Sequence, residues 1–183
     1  MKKDLGIIGG LFLLIILLAT VGRAFSSFGF LNNQGSSSSL LDLNIFEKKE
    51  MKVIPLTVRD LAIDTQVAAT PDERKKGLSG RESLPINSGM LFVFDSAANW
   101  GIWMKDMQFP IDIIWINADR KIVYIVQNAT PQPGKKDSEL AIYRSNSTAL
   151  YVLEVNAGIS NLHNLQVGDT ANFNLSAVAS PKP

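Results

Sequence analysis

The stretch WMKDMQFPIDIIWI, residues 103–116, places a charged cluster directly before the strongest strand pattern of the chain. Residues 111–116 alternate between the two faces of an extended strand, so Asp112 shares its face with two isoleucines. Trp115 and the other odd-numbered residues share the opposite face. A carboxylate among isoleucines must be paired, hydrogen-bonded or protonated. This stretch therefore marks either a structural contact or the floor of a binding cleft.

Both interpretations of the cluster remain open. If residues 103–105 are extended, Trp103 and Lys105 share a face, and Lys105 becomes a candidate partner for Asp112. In a cleft, Trp103 would be a stacking surface, Asp112 a carboxylate with a tuned pKa, and Lys105 the cation that holds Asp112 or an anionic ligand. In a structural contact, the ion pair would only fix the following turn, and Trp103 would lie in the core.

Arg81 is a further candidate ligand-binding residue. It lies beside Glu82 in a loop whose glycines indicate unusual backbone angles or close approach of the chain. These charges could line the same cleft, although adjacent opposite charges on a loop are more often solvated. Asp112 is the candidate catalytic acid or base, but its six-residue spacing from Asp106 fixes no distance between two carboxylates.

The composition excludes several classes of protein. The 183 residues include no cysteine, which excludes disulfides, thiolate nucleophiles and cysteine zinc sites. The single histidine, His163, excludes a histidine-rich metal centre, and we predict no metal site and no cofactor. The net charge is +1 and no basic stripe with interleaved aromatic residues is present, so the sequence does not favour binding to nucleic acid.

The N-terminal residues predict export and attachment to a membrane. Residues 5–22 carry no charge, and eighteen helical residues span about 27 Å, close to the thickness of the hydrocarbon core. Lys2 and Lys3 precede this run and Arg23 follows it, which favours a cytoplasmic N-terminus. A cleavable signal peptide, cut near residues 22–24, is the alternative, and it would also export the domain.

We therefore predict a single-pass protein of the cell membrane with an extracytoplasmic C-terminal domain. Residues 1–4 are assigned to the cytoplasm and residues 5–23 to a transmembrane anchor or uncleaved signal. Residues 24–50, rich in Ser, Gly and Asn, are assigned to a flexible linker. Residues 51–178 form the exported β-rich domain, and residues 179–183 form a C-terminal tail.

The exported domain shows many short strand patterns at roughly ten-residue spacing. The first covers residues 53–63, with an interruption at Pro55, and later ones cover residues 89–94, 100–104, 111–116, 121–126, 149–155 and 171–175. Thr70 as N-cap, with Pro71 and Glu73 after it, predicts a short helix that closes at Gly77. A parallel sheet with regular crossover helices has no room. We predict a mostly-β fold, a compact β-sandwich or distorted barrel with one or two short helices.

A series of short motifs runs in order through this domain. They are TPDER (70–74), GL (77–78), GR (80–81), LP (84–85), GMLFVF (89–94), WMK (103–105), PIDII (110–114), YVLEV (151–155), AG (157–158) and VGD (167–169). Together they resemble the domain of unknown function 192 family over roughly residues 53–175. The resemblance implies a compact, mostly-β domain, often exported in bacteria and archaea, and it implies no particular activity.

The chain departs from the family pattern at several positions. The family commonly has Asn-Thr where this chain has Asp106 and Met107, and Met where it has Ser79. Many members carry a cysteine pair in the loop that corresponds to residues 130–139, and this chain has none. The additional acid at Asp106 would change the charge of a ligand that a site here accepts.

Three functions remain open, and enzymatic activity is undecided. The favoured one is a binding or accessory module of the cell envelope, with a glycan or cell-wall fragment bound by Trp103, Lys105, Asp112 and Arg81. The alternative is a structural or protein-interaction domain whose partner is another envelope protein. A further alternative is a hydrolase or lyase that uses Asp112 as acid or base. The membrane itself is a partner of the predicted N-terminal helix.

Overall fold

The structure, a computed structural model, describes residues 50–176 and residue 178. The predicted anchor at residues 5–23, most of the predicted linker and the predicted C-terminal tail lie outside the described residues. Within the described part, no helix is both long enough and apolar enough to cross a membrane.

The described residues form nine strands and two short α-helices. In chain order these are β1 (Val53–Val58), β2 (Leu61–Ala68), α1 (Pro71–Lys76), β3 (Ser88–Ala98), β4 (Gly101–Trp103), β5 (Ile111–Ile116), β6 (Ile122–Ala129), β7 (Ile142–Arg144), β8 (Ala149–Asn156), α2 (Ile159–Leu162) and β9 (Ala171–Phe173). A 3₁₀ turn, Asp137–Glu139, precedes β7. The predicted mostly-β class with one or two short helices is confirmed.

Seven of the strands in the described part form one sheet, in the order β6-β5-β8-β3-β2-β1-β9, and β4 pairs with β7 separately. The two outermost strands of the large sheet approach each other at one end. Lys121 forms an antiparallel bridge with Thr170, and the amide of Ile122 donates to the carbonyl of Asp169 at 2.9 Å. The sheet is therefore a curled half-barrel, which agrees with the predicted distorted barrel rather than with a sandwich.

One pair of strands is parallel, which the sequence analysis did not anticipate. β2 runs parallel to β3, with Thr65 opposite Gly89, and α1 lies in the connection between them. Antiparallel partners can be joined by a tight turn, whereas parallel ones need a longer crossover. A single crossover of this kind fits in the chain, and it places α1 beside the edge of β3.

Apolar side chains pack on both faces of the sheet, which explains the nearly continuous apolar run of β5. Ile114 belongs to a cluster with Leu56 and Phe173, which lie on strands near one edge of the sheet, so this cluster fills the curl. Ile113 and Trp115 belong to a second cluster on the outer face. The predicted alternation of residues 111–116 is confirmed.

The predicted helix start at Thr70 is also confirmed. Thr70 Oγ1 accepts the amide of Glu73 at 3.2 Å, and Glu73 Oε2 accepts the amide of Thr70 at 2.9 Å. Gly77 ends the helix with φ of 47°, a conformation that favours glycine. Arg74 attaches α1 to the sheet, because its Nη1 donates to the carbonyl of Val93 at 2.8 Å and to that of Ala69.

The predicted interruption at Pro55 is wrong. β1 continues through Pro55, which lies opposite Asp64 of β2, and the turn falls at Arg59 and Asp60. On its other side β1 pairs with β9 over residues 56–58. Pro55 lies beyond that pairing, so its missing N–H breaks no hydrogen bond of the ladder.

Candidate functional site

Asp112 is fully buried, with 0% of its surface exposed, and it holds α2 against the sheet. Its Oδ2 accepts the amides of Gly158 at 3.0 Å and Ser160 at 2.9 Å and the hydroxyl of Ser160 at 2.6 Å. Its Oδ1 accepts the amide of Asn128 at 2.9 Å. The carboxylate therefore satisfies amide groups at the start of α2, which have no partner within the helix.

Lys105 does not pair with Asp112, so that predicted ion pair is wrong. Its Nζ contacts Asp137 in the 3₁₀ turn instead, and this hydrogen bond raises the pKa of the Lys105 amine. Trp103 and Lys105 do share a face, as predicted, because the buried Met104 between them points the other way. The pair does not form because Asp112 shares the face of Ile114, whereas Ile102 of β4 packs on the other face of the sheet.

Trp103 lies at the surface rather than in the core, with 40% of its surface exposed. Lys105 Nζ lies 5.6 Å from the centroid of its ring, within the range of a cation–π contact. One cavity beside Trp103 has a volume of about 280 Å³ and carries three lysines and two aspartates among its lining residues, which are Asp72, Lys75, Lys76, Ser79, Trp103, Lys105 and Asp106. We call this cavity the lysine groove.

A second cavity adjoins Trp103 and has a volume of about 100 Å³. Apolar and aromatic side chains form much of its wall, including Phe92, Phe94 and Ile102. Arg74, Lys75 and Lys76 of α1 also line it, as does Glu154 of β8. We call it the Glu154 cavity.

Glu154 is the functional candidate that sequence reasoning missed. It is 4% exposed, and burial raises the pKa of its carboxyl group to about 8, although the charge of Arg81 lowers that pKa. Met90 lies opposite it on β3 and Ile113 on β5, and both are buried. Among the described residues, no hydrogen bond or ion pair to the Glu154 side chain is present.

Arg81 approaches the same face of the sheet from the loop after α1. Its Nη2 donates to Gln66 Oε1 at 2.6 Å, and Gln66 lies in register with Met90, the neighbour of Glu154. Burial lowers the pKa of Arg81, and the charge of Glu154 raises it. Arg81 is thus half-buried, and its charge acts on Glu154.

The structure brings three of the four predicted site residues into one region. Trp103 and Lys105 line the lysine groove, and Arg81 acts on Glu154 in the adjoining cavity, whereas Asp112 lies on the other face of the sheet. Glu154 had a detectable pattern, since it is a lone acid in an otherwise apolar strand, as Asp112 is. Over the described ranges, no group of three or more His, Cys, Asp or Glu side chains is placed to hold a metal ion.

The curled sheet, the single crossover helix and the surface tryptophan between two cavities define a small β-rich domain with a groove on its outer face. A family model matches residues 54–173 of the chain, which therefore belongs to the domain of unknown function 192 family, described as an uncharacterized ACR. This membership confirms the resemblance found in the sequence.

Solved structures similar to this chain include the following two. A candidate transcription regulator from Sinorhizobium meliloti 1021 is 27% identical, with a TM-score of 0.61 over 68% of this chain and 95% of that one. A protein of unknown function from Novosphingobium aromaticivorans DSM 12444 is 23% identical, with a TM-score of 0.62 over 77% of this chain and 99% of that one. The second likeness concerns the fold alone. No curated protein matches the chain.

Proposed function

We propose that this protein is a membrane-tethered binding module of the cell envelope, whose extracytoplasmic domain binds an anionic glycan. The observation that carries the proposal is the exposed ring of Trp103, with Lys105 at 5.6 Å and a groove of about 280 Å³ beside it. Exposed tryptophan rings stack on flat apolar faces, and the pyranose ring of a sugar has such a face. Binding sites commonly combine such a surface with a few placed polar groups.

The charges of the lysine groove support an anionic ligand. Lys105 is paired with Asp137, but Lys75 and Lys76 add two amines to the groove that form no ion pair with any described residue. Opposite charges across a binding surface favour the correct partner and speed its association. An acidic sugar seated on Trp103 would place its carboxylate within the lysine groove.

The apolar run at residues 5–22 supports the tethered, extracytoplasmic location. A glycan of the cell envelope is the class of ligand that such a domain would meet there. The acid–base alternative that used Asp112 has less support, because this carboxylate is fully buried and accepts four hydrogen bonds.

The test is a calorimetric titration of the full-length protein in detergent micelles with tetragalacturonate, which is acidic, and with cellotetraose, which is neutral. We expect tetragalacturonate to bind, and Trp103→Ala to weaken its binding at least tenfold because the stacking surface is lost. Leu162→Ala is the matched control, since Leu162 on α2 is also apolar and exposed, at 69%, and should leave the affinity unchanged. Absence of binding, or equal affinity in the Trp103 variant, would refute the proposal.

A further inference from the structure

The Glu154 cavity contains a buried carboxyl group that the fold does not use. Among the described residues its oxygens receive no hydrogen bond, in contrast to most buried polar groups in proteins. Glu154 opens onto a space of about 100 Å³ that also reaches Trp103. One water molecule needs roughly 10–15 Å³, so a group of several non-hydrogen atoms fits in this space.

We propose that this cavity is a subsite for the acetamido group of an N-acetylated sugar, with Glu154 donating a hydrogen bond to the amide oxygen. The inference rests on the proposed function, because Trp103 would stack on the ring that carries this group. The lysine groove, on the same tryptophan, would hold the rest of the glycan.

The protonation of Glu154 makes it a donor at neutral pH. Burial raises the pKa of this carboxyl group to about 8, so the group is mainly protonated at pH 7. A protonated carboxyl group has one O–H to donate and needs an acceptor. The carbonyl oxygen of an acetamido group is such an acceptor and carries no charge that would have to be desolvated.

The walls of the cavity suit the rest of the acetamido group. Phe92, Phe94 and Ile102 offer apolar surface to its methyl group. The charge of Arg81 acts on Glu154 from the loop, and Arg74, Lys75 and Lys76 of α1 line the same cavity. The two strands beside Glu154 present the apolar residues Met90 and Ile113. Arg74 already donates a hydrogen bond to the carbonyl of Val93, so it does not pair with the Glu154 carboxyl group.

The experiment compares tetra-N-acetylchitotetraose, called chitotetraose below, with cellotetraose. Both are β-1,4-linked tetrasaccharides, and they differ in having an acetamido group or a hydroxyl group at each C2. The full-length protein in micelles is titrated with each at pH 6.5 and pH 9.5. We expect chitotetraose to bind at least tenfold more tightly at pH 6.5. At pH 9.5 Glu154 has lost its proton, and this preference should fall at least fivefold.

Two variants of Glu154 distinguish the effect of its hydrogen bond to the ligand from the effect of its packing in the cavity. Glu154→Gln retains an N–H donor that does not titrate, so it should still prefer chitotetraose and should show the same preference at both pH values. Glu154→Leu fills the space without a donor and should show no preference at either pH. Circular dichroism establishes that each variant is folded, and the nearly isosteric glutamine variant remains informative if the leucine variant does not fold.

The outcomes distinguish the two proposals. If tetragalacturonate binds but wild-type protein binds chitotetraose and cellotetraose equally, the acetamido subsite is refuted and the proposed function stands. If no glycan binds, both proposals are refuted. A preference that Glu154→Leu retains, or that stays constant with pH in the wild type, would show that Glu154 is not the donor.

Discussion

Two buried carboxyl groups lie next to each other in the centre of the sheet, and their surroundings differ. Asp112 on β5 is in register with Val155 of β8, and Glu154 is in register with Ile113, so the two acids point to opposite faces. Asp112 accepts four hydrogen bonds, three from backbone amides and one from a hydroxyl. Glu154 accepts none from the described residues and opens onto a cavity.

Burial of an acid therefore does not by itself mark a functional site. Both groups lose their hydration, and the charged form must then be compensated or abandoned. Around Asp112 the backbone supplies the compensation, and the result is a structural anchor for α2. Around Glu154 the charge is neutralised by a proton, because burial outweighs the effect of Arg81, and the group remains available to a ligand.

Removal of the Asp112 carboxylate should have the largest effect on stability. Asp112→Ala leaves the amide and hydroxyl of the buried Ser160, and the part-buried amides of Asn128 and Gly158, without their acceptor, so we expect a loss on the order of 3 kcal/mol in the free energy of unfolding. Urea denaturation of the full-length protein in micelles would measure it. Asp112→Asn retains one oxygen and should lose less, and a loss below about 1 kcal/mol for Asp112→Ala would contradict the anchor role.

The pH dependence of stability should reveal the protonation of the Glu154 carboxyl group in the folded protein. Its pKa in the folded protein, about 8, lies above the ordinary value of 4.5, so the folded state holds a proton that the unfolded state releases. This contribution to stability is complete below pH 4.5 and is lost as the pH rises to about 8. Between pH 5 and pH 8 the wild type should therefore lose stability relative to Glu154→Gln, in total on the order of a few kcal/mol.

Glu82→Gln is the control for this measurement, because Glu82 is also a glutamate but is exposed on the loop. Its stability should follow that of the wild type across the same pH range. Parallel curves for wild type and Glu154→Gln would show that Glu154 is not protonated in the folded protein.

Loss of the Lys105 side chain should have the smallest effect on stability. Its contact with Asp137 lies at the surface, where ion pairs contribute little to stability. Lys105→Ala should therefore unfold at the same urea concentration as the wild type. Combined with Asp112→Ala, it should cause no further loss in the free energy of unfolding. If the free energy lost in the double variant differed clearly from the sum of the two single losses, Lys105 and Asp112 would interact, as the sequence suggested.

Local patterns of the sequence predicted the elements well. The capping residues at Thr70 and Glu73 and the alternation of β5 follow from contacts within a few residues, and the structure has both. The curled sheet follows less directly, because the pairing of β9 with β1 joins residues far apart in the chain. The short strand β7 was missed since its three residues carry too little pattern to stand out from a loop.

The sequence predicted the part of the candidate site whose residues are close together in the chain. Trp103 and Lys105 are close in the sequence, and they remain close in the structure. The link between Arg81 and Glu154 depends on the order of strands, which places Gln66, Met90 and Glu154 in one row. No spacing along the chain encodes that row, so Glu154 could be recognised only as an isolated acid in an apolar strand.

The contact between the two ends of the sheet has a consequence for how the protein folds. β9 pairs with β1 across more than a hundred residues, and Thr170 beside it bridges to Lys121. Such distant pairings slow folding, because a long loop must close before they form. Until residues 171–173 are in place, β1 is an open strand edge that can pair with other chains. Pairing of β9 is therefore the step that ends the exposure of β1 to other chains.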